Sequence, residues 1–212
     1  MNKNVIRGAA AASIVACALA TPSQAAIVYS AGFDGLSSQP ALNTVPTGWT
    51  STSGTVDWIY SNNSWGISCH NGSAGCVDLD GSTWDAGLLS TAFTLQSGVE
   101  YQLSAFLRGN QRGYGAETVT FGFLDSSNNV LSSTTTSSIA SGDPYQLVSL
   151  PSYTPSGNQA VRIFFQANGA GDNVGPILDD VSLTAVPLPA AAWLLLSGLV
   201  GFGALGRRKV AA

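Results

Sequence analysis

The residues best placed for chemistry are Cys69, His70 and Cys76, which fall within one stretch of eight. In an oxidising compartment two cysteines this close form a disulfide, with His70 to Gly75 as the flexible turn between them. The sharper alternative is metal ligation by Cys69, His70 and Cys76, but the C-x2-4-C spacing of zinc sites is absent and no second ligand pair follows. His70 is the sole histidine, so a Ser-His-Asp mechanism would have to run through it. No nucleophile elbow accompanies it, and its neighbours predict an exposed loop and an ordinary surface histidine.

The acidic residues offer two further chemistries. Asp78, Asp80 and Asp85 are close in sequence, and paired carboxylates hydrolyse glycosides. Sequence proximity does not set two of them across a sugar, and the expectation is a protein that is not an enzyme. Asp78-x-Asp80-Gly81 begins like a calcium loop but lacks the third acid and terminal Glu of an EF-hand. Asp179 alternates with Ile177, Val181 and Leu183, which aims its carboxylate at the apolar side. A lone charge there is costly and needs a cation or several donors. A bulge before Asp180 would make Asp180 the inward carboxylate instead, and in the plainer reading both residues cap a turn. Trp49, Trp58, Tyr60, Trp65, Trp84 and Tyr114 fall in or beside loops, where flat rings stack on sugars and Asn62, Asn63 and Arg112 reach hydroxyls. Trp58, Tyr60, Trp65, Trp84 and Arg112 form the candidate ligand-binding set; the competing reading is that these aromatics fill a core.

The elements that must position these residues alternate apolar and polar side chains with period two. Val99, Tyr101, Leu103, Ala105 and Leu107 share one side of a strand, as do Val119, Phe121 and Phe123, and Val161, Ile163 and Phe165. Further strands are expected at Ile27 to Phe33, Val56 to Tyr60, Cys76 to Leu79, Leu89 to Leu95, Gln146 to Leu150 and Ile177 to Thr184. Turn residues cluster between them, and no amphipathic helix is apparent. About nine short strands imply an all-β fold, an antiparallel sandwich. Only 9% of residues are charged, which suits such a fold better than a helical bundle.

Charge is distributed unevenly. All twelve acidic residues lie between Asp34 and Asp180, where the only bases are Arg108, Arg112 and Arg162, a net of -9. A domain so acidic repels phosphate backbones, which argues against nucleic acid as a partner. The remaining bases flank two apolar runs, the pattern of an exported domain. Lys3 and Arg7 precede Gly8 to Ala20, and Ser23-Gln24-Ala25 offers small residues for cleavage, so residues 1–25 read as a secretory signal peptide. Thirteen residues at about 1.5 Å each fall short of a hydrocarbon core of about 30 Å, which disfavours a lasting anchor. Ile14-Val15-Ala16-Cys17 is a rival site at which Cys17 would be lipidated.

At the other end Val186-Pro187-Leu188-Pro189 is followed by the apolar run Ala190 to Gly206, expected to be a transmembrane helix, and by Arg207-Arg208-Lys209. Residues 186–212 resemble the PEP-CTERM sorting signal in its Val-Pro-Leu-Pro-Ala variant, with Leu188 where the name-giving Glu stands. That resemblance implies processing by an exosortase-type membrane protease; the competing reading is a plain tail anchor. Gly201 to Gly206 matches G-x-G-x-x-G, but no strand precedes it, and small residues on a membrane helix explain it better.

Gly32-Phe33-Asp34, Gly48-Trp49, Val56-Asp57-Trp58, Val77 to Gly81, Gly98-x-x-Tyr101-x-Leu103 and Gly175 to Leu183 together resemble galactose-binding-like jelly rolls, over most of residues 27–185 of an expected domain 26–185. The resemblance implies a jelly-roll sandwich and a structural calcium between first and last strands, with Asp34 and Asp179 or Asp180 as ligands and backbone carbonyls completing the shell. The functional expectation is a non-catalytic protein that binds extracellular polysaccharide. It is exported to the cell surface or matrix of a Gram-negative bacterium through a transient inner-membrane intermediate. The alternatives are a structural adhesin or biofilm-matrix spacer, and a secreted hydrolase.

Overall fold

The computed structural model describes residues 25–36, 39–169 and 171–186. The expected signal peptide up to Gln24 and the sorting segment from Pro187, including Leu188, Pro189, Arg207, Arg208 and Lys209, lie outside them. Among the described residues no helix is long and apolar enough to cross a membrane.

Among the described residues eleven strands form two antiparallel sheets. One contains β1 (Ala26–Ala31), β3 (Asp57–Tyr60), β4 (Gly75–Asp78), β6 (Glu100–Arg108), β9 (Gln146–Ser149) and β11 (Ile177–Val186), in the order β3-β4-β11-β6-β9, with β1 also against β11. The other runs β2 (Thr50–Thr52), β5 (Leu88–Leu95), β10 (Gln159–Asn168), β7 (Thr118–Asp125), β8 (Val130–Thr135). Strand β11 organises the first sheet. Ile177 and Leu178 pair with β4, residues from Val181 to Ala185 pair with β1 on the same edge, and β6 takes the other edge. Val186, the first residue of the expected sorting motif, still belongs to the sheet, opposite Glu100.

Period two sorts the side chains as expected. Tyr101, Leu103, Ala105 and Leu107 of β6 meet Val119, Phe121 and Phe123 of β7 and Val161, Ile163 and Phe165 of β10 in one core. A second, smaller cluster of Ile59, Ile67, Cys69, Cys76 and Ile177 covers the outer face of the six-stranded sheet. Two strands escaped the sequence reading. Strands β2 and β8 are the edges of the five-stranded sheet, carry Thr50-Ser51-Thr52 and Val130-Leu131-Ser132-Ser133-Thr134-Thr135, and have no apolar alternation because little of them is buried.

Candidate functional site

On the outer face of the six-stranded sheet Cys69 and Cys76 are joined in a disulfide, which leaves no thiolate for the metal alternative. His70, expected on an exposed loop, is instead held down: its ring stacks on Phe106 at 3.8 Å and its Nδ1 lies 2.7 Å from Asp180 Oδ2. Beneath it Asp179 is fully buried, but not where alternation placed it. Asp179 pairs with Phe106 and Ser182 with Ser104, so Asp180 and Val181 together oppose Ala105. This bulge, with Asp180 at φ 45°, turns Val181 and Leu183 into the main core and leaves Asp179 with Ile177 on the outer side. Burial pushes the Asp179 carboxyl up to about 7, against the N–H groups of His70 and Asp180 that hold its charged form.

The calcium implied by the resemblance can be tested on these residues. Asp34 Oδ2 and Asp180 Oδ1 converge above Gly32, where a Cβ would lie 3.1 and 3.3 Å from them. These two oxygens are the carboxylate donors such an ion would use, since Asp34 Oδ1 already accepts from Ser73 and Ala74 and Asp180 Oδ2 lies against His70. Asp179 does not join them. Its Oδ2 accepts the His70 N–H at 2.9 Å and its Oδ1 the Asp180 N–H at 2.8 Å.

The candidate sugar-binding residues separate into two places. Trp58 is half-buried, donates its Nε1–H to the Phe33 carbonyl at 2.8 Å, and lines a cleft of about 280 Å³ with Tyr29, Phe33, Pro46 and Trp49. Trp49 is core, and Tyr60 is half-buried beside Trp58 on β3. Asn63 is consumed by its own turn, where its Oδ1 accepts the N–H groups of Trp65 and Ile67.

Trp65 and Arg112 meet on the loops, and Asn173 links Arg112 to the backbone of Trp84. The Arg112 guanidinium lies 5.9 Å from the Trp65 ring centroid, pairs with Asp78 and donates to the Asn173 carbonyl at 3.2 Å. Asn173 also accepts the Trp84 N–H on its Oδ1 at 2.6 Å. Trp84 stands at φ 68°, a left-handed conformation that costs a bulky residue energy and persists only where neighbours impose it. The outcome is an indole 66% exposed, with Trp65 at 38% and Tyr114, two residues beyond Arg112, at 50%. The buried anchor is Asp78: burial pushes its carboxyl well up, opposed by Arg112 and by N–H bonds from Asp80 and Gly175 at 3.0 and 2.9 Å. Asp80 is also fully buried, whereas Asp85 is exposed. Asn173 went unnoticed in the sequence.

No protein-family profile and no curated protein matches the chain. Solved structures do match in fold. The CBM22-1 xylan-binding domain from Paenibacillus barcinonensis Xyn10C is 13% identical, with a TM-score of 0.52 over 77% of this chain and 96% of that one. The Stig cyclase Fisc from Fischerella sp. TAU is 17% identical, with a TM-score of 0.55 over 74% and 94%. The arabinose-bound MgGH51 α-L-arabinofuranosidase is 14% identical, with a TM-score of 0.54 over 74% of this chain but only 26% of that one. At such identities the likeness shows the fold alone, and that fold is the antiparallel jelly roll.

Proposed function

We propose that the chain is an exported, non-catalytic protein that binds extracellular polysaccharide through the Trp65, Arg112 and Trp84 loops of its jelly roll. The observation that carries this reading is Trp84, whose exposed indole is held at a left-handed backbone position by Asn173. Apolar surface of that size is seldom presented at a conformational cost without a ligand to cover it, and a flat ring suits the face of a pyranose. Arg112, fixed by Asp78, adds a donor beside the Trp65 ring. The xylan-binding domain of the same fold supports carbohydrate as the ligand class.

The non-catalytic part of the reading is supported by the carboxylates: Asp78 and Asp80 are fully buried. Calcium at Asp34 and Asp180 would tie the end of β1 to β11, supplying a structural crosslink. Export is supported by the disulfide and by the leader, and processing by an exosortase-type membrane protease by residues 186–212. Intact mass of the protein from its native host should lack residues 1–25 and Ala190 to Ala212; a mass that retains Ala190 to Ala212 refutes the processing scheme. A glycan array probed with the full-length protein in mild detergent should light up at least one polysaccharide. Silence across the array would favour the matrix-spacer alternative, and turnover of sugar or ester substrates would favour the hydrolase.

A further inference from the structure

We infer that Asp80, Glu117 and Asp172 form a calcium site, separate from Asp34 and Asp180, where the β4–β5, β6–β7 and β10–β11 connections meet. One carboxylate oxygen from each of the three lies within 4.8 Å of the others. Two oxygens bound to one calcium at about 2.4 Å each lie at most about 4.8 Å apart, so the three oxygens fall within the reach of a single ion. Glu117 is 6% exposed and its Oε2 has no hydrogen-bond partner; Asp80 is 0% exposed and its Oδ1 has none either. Buried carboxylate oxygens without donors are expensive, and three acids together compound the cost by mutual repulsion. No basic side chain reaches them among the described residues, where His70 lies against Asp180 and Arg112 against Asp78.

The surroundings preserve the arrangement. Gly169 lies against the Glu117 carboxyl, where a Cβ would come within 2.1 Å. The Asp172 N–H donates to Asp80 Oδ2 at 3.1 Å, and Asp172 Oδ1 accepts the Val174 N–H at 3.1 Å, which leaves Asp172 Oδ2 and the orphaned oxygens for the ion. Asp172 is half-buried and opens the site to solvent. The next residue is Asn173, so a bound ion would also stiffen the segment that holds Arg112 and Trp84.

Calcium titration by calorimetry of the full-length protein in mild detergent, first stripped with chelator, tests the inference without any sugar. The wild type should take up calcium. Glu117→Gln should lose one equivalent or bind it at least about tenfold more weakly. Asp180→Asn, at the other acidic pair, should leave that equivalent in place. Melting in chelator shows whether Glu117→Gln is folded; it should melt above the wild type because repulsion is relieved. Asp172→Asn, at the half-buried ligand, is the second variant and should weaken the same equivalent. Uptake by both variants equal to the wild type, or no uptake by the wild type, overturns the site and means that the three carboxyls share a proton instead.

Discussion

Asp179 and Glu117 are both buried acids whose carboxyls are pushed up to about 7, yet they sit in opposite surroundings. Asp179 lies under the disulfide loop with a backbone N–H on each oxygen. Its burial is offset by hydrogen bonds, which fasten His70 and the bulge to the sheet. Glu117 lies at the loop end with an oxygen that no donor reaches and with Asp80 and Asp172 repelling it. Burial alone therefore does not mark a functional acid; the count of satisfied oxygens does. One region is closed by covalent and hydrogen bonds, and the other awaits a partner.

The largest expected effects break the closed region. Cys76→Ser removes a crosslink over a short loop and should cost at most about 3 kcal/mol, read as a lower urea midpoint. Asp179→Ala strands the N–H groups of His70 and Asp180 and should cost about 1–3 kcal/mol, with or without calcium. The open region should respond with the opposite sign. In chelator Glu117→Gln should raise the melting temperature, whereas calcium at 100 times its dissociation constant should stabilise the wild type by about 2.7 kcal/mol. A calcium response that persists in Glu117→Gln but vanishes in Asp180→Asn would assign the effect to Asp34 and Asp180 and reverse the contrast.

A smaller effect should appear in pH. Asp179 and Glu117 bind protons more tightly folded than unfolded, between their ordinary values of 3.8 and 4.5 and about 7. In that window the native state carries the extra protons, so their contribution is present below about pH 4 and is lost as pH rises through 7. Thermal melts in chelator from pH 5 to 8 should show falling stability. Glu117→Gln should flatten part of that slope, and calcium should flatten it further for the wild type.

The sequence made the core legible because period two depends only on neighbours along one strand. Leu103, Phe121 and Ile163 are where alternation puts them. It failed at Asp179 because the bulge at Asp180 shifts the phase by one residue, and nothing in Leu178-Asp179-Asp180-Val181 announces an insertion. Strands β2 and β8 were illegible because edge strands bury too little to need a pattern. At the candidate site Trp65, Trp84 and Arg112 could be singled out by type, but Trp58 and Tyr60 could not be told from them without the fold. Asp80, Glu117 and Asp172 are spread over 93 positions, so only the meeting of three loops brings them together.

The central claim is that the Trp65, Arg112 and Trp84 loops bind polysaccharide. Affinity electrophoresis of the full-length protein through gels containing soluble xylan, or whichever polysaccharide the array selects, tests it most directly. Trp84→Ala should relieve the retardation by about tenfold or more in apparent affinity, roughly 1.4 kcal/mol, and Trp65→Ala should act in the same direction. Leu147→Ala, an exposed position on β9, serves as the control and should migrate like the wild type. Equal retardation of the wild type and Trp84→Ala would place the ligand elsewhere, with the Trp58 cleft next in line. No retardation in any polysaccharide would contradict the account.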